Sequence, residues 1–386
     1  MPSSSVTPRR RQRLALALAG ALVLLAAGGA GSAQAAPSAA PATAYVADFG
    51  GTTVTPIDVA TGTPGGAIQA GSNPAEIAVA PGGTTAYVTD ANGGTVTPID
   101  LTSDTPGTPI PVGAGPVGIA IAPGGRTAYV TSLFDDTLTP IDLTTDTPGT
   151  PIPVGTQPFG VAITPNGDTA YVTNFVDGTV TPIDLATGTP GSPIFVGAGP
   201  TEIAIAPNGR AAYVVDQFGN TVTPIDLATG TPGAPITAGA GVAAVAFAPN
   251  SGTAYVTDFA GDTVTPVHVA SGKTGTPIPA GNGPAEIAIT PDGATAFVAD
   301  QSGGTVTRID LQTGSPTATI AVGGAPYGIA IGTAVQKAPV AAAATSTTAG
   351  AVTSTTAGAA TTTTGAATGH TGARTLMNLY GVRFTT

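Results

Sequence analysis

A repeat with a period of 42 residues is the feature that most constrains the fold of this chain. The phrase "TAYVTD", or a close variant, returns seven times without one insertion. Its aromatic residue falls at Tyr45, Tyr87, Tyr129, Tyr171, Tyr213, Tyr255 and Phe297. A fixed period of this size is the signature of an architecture in which each unit buries its apolar face against the next. The sequence therefore predicts seven copies of one supersecondary unit.

Each unit divides into four strand-like pieces. In the copy at 74–110 these are "EIAVAP", "TAYVTD", "TVTPID" and "TPI", and turns rich in Gly, Asn and Asp separate them. No segment keeps a helical period of about 3.6 over ten residues, which excludes a helical solenoid. A β-helix is the structural rival, although its rungs are usually shorter. Four short strands per unit predict an all-β fold, a seven-bladed β-propeller of four-stranded blades.

The two ends of the repeat region are complementary. The first copy begins at its second strand, "TAYVAD", whereas the last copy is followed by a lone inner strand, "PYGIAIG". We therefore expect Pro326–Gly332 to pair with Ala42–Asp48 and close the ring, because closure removes two exposed sheet edges.

A proline inside the third strand conflicts with pairing on both sides of that strand. It recurs in six copies, at Pro56, Pro98, Pro140, Pro182, Pro224 and Pro266. The sequence predicts either a bulge there or an outer strand that pairs over only part of its length.

The chain ends differ from the repeats in composition. Four arginines, the apolar run Leu14–Ala30 and the small-residue "AQA" predict a signal peptide over residues 1–35. An uncleaved anchor is the alternative, but the run is short and Gly-rich for a membrane span. The propeller is then expected over 36–337. A Thr-, Ala- and Gly-rich tail that is predicted to be disordered follows at 338–386.

Charge limits the possible partners. Cleavage would leave seven basic residues against 22 acidic ones, a net charge of −15. Such a chain lacks the basic surface that nucleic acid or anionic membranes require. We predict a secreted or cell-envelope protein that does not insert into the membrane after cleavage. The chain has no Cys and only two His, neither near the predicted channel, so Ser-His or Cys-His nucleophilic catalysis is excluded.

The repeat phrase carries a resemblance. "YVTN" occurs at Tyr171–Asn174, "YVTD" follows Ala86 and Ala254, and "PNG" or "PDG" turns recur between the strands. The chain thus resembles the YVTN family of β-propeller repeat proteins over about residues 42–334. The resemblance implies the propeller fold and an exported protein with a binding or surface role.

Variation among the copies concentrates on one face. Loops between second and third strands share a face, here called the top, with loops that lead from an outer strand to the next inner strand. The opposite turns, on the bottom face, barely change. Seven aromatic residues lie in top-face segments and are predicted ligand-binding residues: Phe49, Phe134, Phe159, Phe175, Phe218, Phe259 and Tyr327. The alternative is that these rings cap the core between blades from above.

The three glutamates of the chain share one position of the repeat, the start of the inner strand, at the mouth of the predicted channel. With symmetric hairpins each would lie opposite an aspartate, giving the predicted metal ligands Glu76 with Asp90, Glu202 with Asp216 and Glu286 with Asp300. Paired carboxylates favour Ca²⁺ or Mg²⁺, and no other cofactor is predicted. Two alternatives stay open. Crowding could raise one pKa and create a general base, or each Glu could accept backbone N–H bonds.

Two further sets of residues are predicted to be structural. An aspartate before a Gly-containing turn recurs in six copies and is expected to hold that turn: Asp58, Asp100, Asp142, Asp184, Asp226 and Asp310. His268 takes this position in the sixth copy.

The predicted function is that of a secreted, non-enzymatic scaffold whose top face binds a protein or a cell-surface polymer around the channel mouth. A metal-dependent, lactonase- or lyase-like hydrolase using the channel carboxylates is the first alternative. A structural protein of the cell envelope or surface layer is the second.

Overall fold

The computed structural model describes residues 42–333, 376–379 and 382–384, and the repeats form the predicted seven-bladed β-propeller. The blades are numbered here 1 to 7 in the order of their aromatic residues, from Tyr45 to Phe297. No α-helix occurs in the described part of the chain, hence none long and apolar enough to cross a membrane. The predicted signal peptide and most of the predicted tail lie outside the described residues.

Each blade is an antiparallel sheet. The inner strands are Pro326–Thr333 for blade 1, then Pro74–Val79, Pro116–Ile121, Pro158–Ile163, Pro200–Ile205, Val242–Phe247 and Pro284–Ile289. The second strands are Ala42–Asp48, Thr85–Asp90, Thr127–Ser132, Thr169–Asn174, Ala211–Asp216, Thr253–Asp258 and Thr295–Asp300. The third strands are Thr53–Asp58, Thr95–Asp100, Thr137–Asp142, Thr179–Asp184, Thr221–Asp226, Thr263–His268 and Thr305–Asp310.

The outer strands are short in every blade but the seventh. They are Ile68–Gln69 in blade 1 and Ser315–Ala321 in blade 7. In blades 2 to 6 they are split into two pieces: Thr105–Pro106 and Ile110–Pro111, Thr147–Pro148 and Ile152–Pro153, Thr189–Pro190 and Ile194–Phe195, Thr231–Pro232 and Ile236–Thr237, and Lys273–Thr274 and Ile278–Pro279. A separate two-stranded hairpin is formed by Leu376–Leu379 and Val382–Phe384.

Proline explains why the outer strand is split. In blade 2 the two pieces pair with opposite ends of the third strand, on either side of Pro98. Pro98 has no N–H to donate, and its carbonyl accepts the N–H of Gly107 at 2.7 Å. Blade 7 has Arg308 in place of this proline, and there the outer strand Ser315–Ala321 runs unbroken. The predicted partial pairing is confirmed.

Ring closure occurs as predicted. Pro326–Thr333 pairs antiparallel with Ala42–Asp48, and Tyr45 lies opposite Ala330. Each inner strand contacts the inner strand of the next blade, and the last of these contacts joins blade 7 to blade 1. The two chain ends of the repeat region therefore share one sheet.

The core lies between adjacent blades. Tyr87 and Ile110 of blade 2 pack with Ile119, Val130 and Ile141 of blade 3, and all five are buried. Equivalent clusters fill the other joints. Burial of one such side chain contributes about 1.5–3 kcal/mol, so the packed faces between blades stabilise the ring.

A threonine in the second strand adds a polar link between blades. Each inner strand changes register near its top end; in blade 3 Val130 lies opposite Ile119, but Ser132 lies opposite Pro116. At this irregularity Thr131 Oγ1 accepts the N–H of Gly118 at 2.8 Å. It also donates to the carbonyl of Phe159, in blade 4, at 2.6 Å. The same bridge is formed by Thr89, Thr173 and Thr257. The threonine of "YVTD" thus joins two blades.

Candidate functional site

Most of the predicted top-face aromatics belong to a buried apolar cluster. Phe49, Phe159 and Phe175 pack with Val117 and Leu133 over blades 1 to 4, and all five are buried. Among the other predicted aromatics, Phe134, Phe259 and Tyr327 are partly buried. Of these, Phe134 and Tyr327 pack against this cluster. The interpretation that these rings cap the core from above fits this arrangement. Direct binding through the three buried rings would require them to leave the cluster.

Three large apolar side chains are nevertheless exposed, and all three belong to blades 4 and 5. Within the described residues they are Val176, Phe195 and Phe218, with exposed fractions of 58%, 71% and 58%. The Phe218 ring packs edge-on against Phe175, with ring centroids 5.4 Å apart. Phe195 lies beside the loop of Val176, because its Cε2 is 3.4 Å from the position that a Cβ on Gly178 would take. We call Val176, Phe195 and Phe218 the apolar patch; Val176 and Phe218 lie in the top loops of blades 4 and 5, and Phe195 lies on the outer strand of blade 4, at the end that pairs with the start of the third strand.

Two members of the apolar patch were not among the predicted residues, although the repeat contained the signal. Val176 occupies the repeat position of the predicted residues Phe134 and Phe218, but it is not aromatic. Phe195 stands in an outer strand where the other blades have Gln69, Pro111, Pro153, Thr237, Pro279 and Ala321. Comparing copies position by position along the outer strand would have identified it.

The predicted pairing of glutamates with aspartates is wrong. Because of the irregularity near the start of the inner strands, the residues opposite Asp90, Asp216 and Asp300 are Pro74, Pro200 and Pro284. Two of these aspartates bind the top loops instead, and the third binds its own third strand. Asp90 accepts the N–H groups of Ser72 and Gly93, at 2.9 and 2.8 Å. Asp300 accepts the N–H of Gly281 and two threonine hydroxyls, and Asp216 accepts two threonine hydroxyls.

The glutamates occur on the inner strands, as expected, and two of them meet. The Glu76 and Glu286 side chains hydrogen-bond to each other across blade 1, and Glu286 Oε2 accepts the N–H of Ile329 at 3.3 Å. The residue at this position in blade 1 is Gly328, where a Cβ would lie 2.3 Å from the carbonyl oxygen of Ala75. The absence of a side chain at Gly328 lets the two carboxyl groups approach.

The channel raises the pKa of all three carboxyl groups. Burial is the largest cause: it raises the pKa of Glu202 to about 8, that of Glu286 to about 7, and that of Glu76 well above its usual range. The charge of Glu286 raises the pKa values of Glu76 and Glu202 further, whereas the hydrogen bond from Glu76 lowers that of Glu286. The Glu76–Glu286 pair therefore holds its protons more strongly than two isolated carboxyl groups do.

The cation prediction loses its geometric support. In the described ranges, no three His, Cys, Asp or Glu side chains are placed so that they could hold a metal ion. Asp90 and Asp300 are bound to the top loops, and Asp216 to two threonine hydroxyls of its third strand. Buried oxygens of Thr201, Gln217 and Gln301, and Oδ1 of Asp216, have no hydrogen-bond partner among the described residues. What remains on the inner strands is a set of protonatable glutamates. Such groups suit a hydroxyl-bearing ligand or bound water better than Ca²⁺ or Mg²⁺.

The recurrent aspartates act as predicted. Each accepts at least one backbone N–H of the turn that follows, as Asp58 does from Thr61 at 2.7 Å. The others are Asp100, Asp142, Asp184, Asp226 and Asp310. His268 ends the third strand of blade 6 and is exposed on the bottom face.

Comparisons with known proteins identify the fold only. No family model matches the chain, and no curated protein matches it. Among solved structures, a functionally unknown protein from Desulfotomaculum acetoxidans aligns with a TM-score of 0.66 and 17% identity, over 75% of this chain and 98% of its own. A periplasmic gluconolactonase from Pseudomonas aeruginosa aligns with 0.64 and 17%, over 77% and 100%. A putative 6-phosphogluconolactonase from Bacteroides uniformis aligns with 0.64 and 18%, over 76% and 100%.

Proposed function

We propose that this protein is a non-catalytic, extracytoplasmic binding scaffold that engages a protein or a cell-surface polymer through the apolar patch. The observation that carries the proposal is the exposure of Val176, Phe195 and Phe218 in one sector of the top face. A chain built of near-identical copies would expose such side chains evenly if they served the fold alone.

The chemistry of the patch fits an interface. Aromatic residues are enriched at the centres of binding surfaces, where they contribute much of the affinity. The rim is polar: Asp177 is exposed beside Val176, and one of its oxygens accepts the N–H of Thr156 at 2.7 Å. An apolar centre with a carboxylate rim favours a partner that presents apolar faces together with hydrogen-bond donors.

Two observations support the proposed location, and one supports the proposed family. The basic and apolar amino-terminal sequence is typical of export. One structural neighbour is a periplasmic gluconolactonase. The "YVTN" phrases favour membership of the YVTN repeat proteins, which we retain as part of the proposal. A structural role in the envelope would also be compatible with a binding face.

The apolar patch can be tested with residues that other blades already carry. Phe195→Pro reproduces Pro153 of the preceding blade, and Phe218→Ser reproduces Ser302 of blade 7. The double variant should lose capture of its partner from a cell-envelope extract while its thermal midpoint stays within a few degrees of the parent. Asn92→Ser, which is exposed at the Phe218 position in blade 2, is the matched control. Undiminished capture by the double variant would refute the patch as the binding surface.

A second candidate function rests on the channel carboxyl groups. Glu202 and Glu286 have pKa values of about 8 and about 7, and a general base or acid works best near the operating pH. Structural neighbours include a periplasmic gluconolactonase and a putative 6-phosphogluconolactonase. A lactonase would use one ionised glutamate to activate the water that attacks the lactone carbonyl, and a protonated one to assist the leaving oxygen.

The hydrolase candidate predicts a measurable activity. Hydrolysis of glucono-lactone, followed by acid release, should exceed the spontaneous rate and fall at least tenfold in Glu202→Gln. Apolar-patch variants should retain the full rate, which separates the two candidates. If the parent protein hydrolyses the lactone no faster than buffer does, the glutamates are not catalytic for this substrate class.

A further inference from the structure

The bottom face between blades 5 and 6 departs from the repeat at several positions at once. Lys273 stands where the other blades have Thr or Ser, and His268 stands where they have Asp. Ser251 replaces a hairpin glycine. Arg210 precedes the second strand of blade 5, a position where only blade 3 also has a basic residue, Arg126. The copies are otherwise nearly identical, so residues that differ from the repeat and lie at one joint indicate that this joint has a role that the others lack.

Arg210 and Lys273 line the same cleft, of about 1010 Å³, on opposite sides of the joint between the two blades. The rest of the wall includes exposed hydroxyl groups and proline rings, from Thr231, Thr237, Ser271, Thr274, Pro232 and Pro235. A related cleft between blades 4 and 5 measures about 580 Å³ and has no basic residue in its wall. The two cations thus coincide with the larger of these openings.

The joint holds both basic residues in place. Gly272, with φ of 63°, packs against the outer strand of blade 5, since Ile236 Cδ1 lies 3.6 Å from the position of a Cβ on that glycine. The N–H of Arg210 donates to Asn208 Oδ1 at 2.9 Å, and the N–H of Asn208 donates to Ser251 Oγ of blade 6 at 3.1 Å. Ser251 adopts a φ of 58°, a region that favours glycine, at a cost of order 1 kcal/mol. Its hydroxyl supplies a link between blades that glycine could not.

The cleft carries positive charge that its surroundings do not neutralise. No hydrogen bond or ion pair to another described residue involves the Arg210 guanidinium or the Lys273 ammonium group. Asp226 also lines the cleft, and its carboxylate, which accepts the N–H groups of Ala228 and Thr229, offsets one of the two positive charges, so the wall keeps a net charge of +1. Lys273 pairs across the sheet with His268, at a position where an aspartate would otherwise face it.

We propose that this cleft binds a saccharide that carries carboxylate or phosphate groups. Two basic side chains in one wall favour a ligand with oxyanions. The planar arginine guanidinium can donate two hydrogen bonds to a carboxylate or to a phosphate. The hydroxyl-bearing wall matches sugar hydroxyls, and the opening is far larger than a single inorganic anion requires. This site shares no residue with the apolar patch, although its wall includes Thr237, which takes the repeat position of Phe195.

The test is calorimetric titration of the purified protein with trigalacturonate, glucose 6-phosphate and the uncharged maltotriose. The substitutions Arg210→Thr and Lys273→Thr introduce residues found at the same positions in blade 2. The double variant is expected to bind the anionic probes at least tenfold more weakly than the parent. Arg126→Thr removes the same charge at the same position of blade 3 and should stay within twofold of the parent. Binding should weaken as salt is raised.

Binding of either anionic probe with these variant effects supports the proposal, and the preferred probe tells whether the cleft selects carboxylate or phosphate. Equal affinity for maltotriose would overturn it, because the charges would then be irrelevant. It would also be overturned if the parent bound neither anionic probe, or if the double variant bound as tightly as the parent.

Discussion

The bridging threonine makes a sharp prediction about stability. Thr131 is fully buried, and its hydroxyl accepts the N–H of Gly118 at 2.8 Å and donates to the carbonyl of Phe159 at 2.6 Å. Thr131→Val replaces this hydroxyl with a methyl group of nearly the same shape, so no cavity forms. The perturbation removes the bond from the Gly118 N–H and a longer one to the Gly118 carbonyl, 3.4 Å, within blade 3, and the bond to the Phe159 carbonyl between blades 3 and 4.

The expected loss follows from the groups left behind. A buried polar group without a partner costs about 1–3 kcal/mol. The Gly118 N–H loses the acceptor at the strand irregularity, and the Phe159 carbonyl loses one donor. We therefore expect Thr131→Val to lower the free energy of unfolding by about 2–6 kcal/mol, the sum of this range over the two groups.

Equilibrium unfolding in guanidinium chloride, followed by tyrosine fluorescence and circular dichroism, measures this change. Thr131→Ser is the control: it keeps the hydroxyl and removes one methyl group, which is worth about 0.8 kcal/mol. The valine variant should have a clearly lower midpoint than the serine variant. If the two variants are equally stable, or if valine matches the parent, the threonine bridge does not stabilise the joint.

Three further predictions follow from the same joints and from the channel. Val215→Thr, at the bridge position of blade 5, should raise stability by about 0.5–1.5 kcal/mol in the same unfolding assay, since it adds the missing link. Gly160→Ala should lower stability by about 1–3 kcal/mol, since its Cβ would lie 2.6 Å from the carbonyl oxygen of Thr201; unchanged stability would contradict this close approach. The pKa of Glu202 rises from 4.5 to about 8 on folding, so its contribution to stability is complete below pH 4.5 and is lost as pH rises to 8. Glu202→Gln should therefore flatten the decline of stability between pH 5 and pH 8, and an unaltered pH profile would disprove the raised pKa.

Periodicity and proline chemistry made much of the fold predictable. The number of blades follows from the number of copies. The closure by Pro326–Gly332 follows from the incomplete copies at the two ends, and the turn-holding aspartates follow from the residues of a single turn. The split outer strand also follows from local chemistry, because proline lacks an N–H wherever it occurs. Arg308 in blade 7 shows the converse, since the outer strand there is continuous.

The candidate sites were predicted less well, because they depend on contacts between copies. All three glutamates were identified, but their pairing with aspartates assumed a symmetric hairpin, which the irregularity beside Pro74 and its equivalents removes. Five of the seven predicted aromatic rings lie in or against one apolar cluster. Whether a ring such as Phe175 is buried, or one such as Phe218 is exposed, depends on the neighbouring blade.

By itself, then, the sequence determined the repeat unit, its strands and the ring that the units close, because these depend on interactions between residues near one another in the chain or at equal positions of adjacent copies. Only the tertiary structure decided that Glu76 and Glu286 meet across Gly328, and that Arg210 and Lys273 share one cleft. Such encounters depend on how closely two blades approach, and that distance is set by packing, which no periodic pattern records.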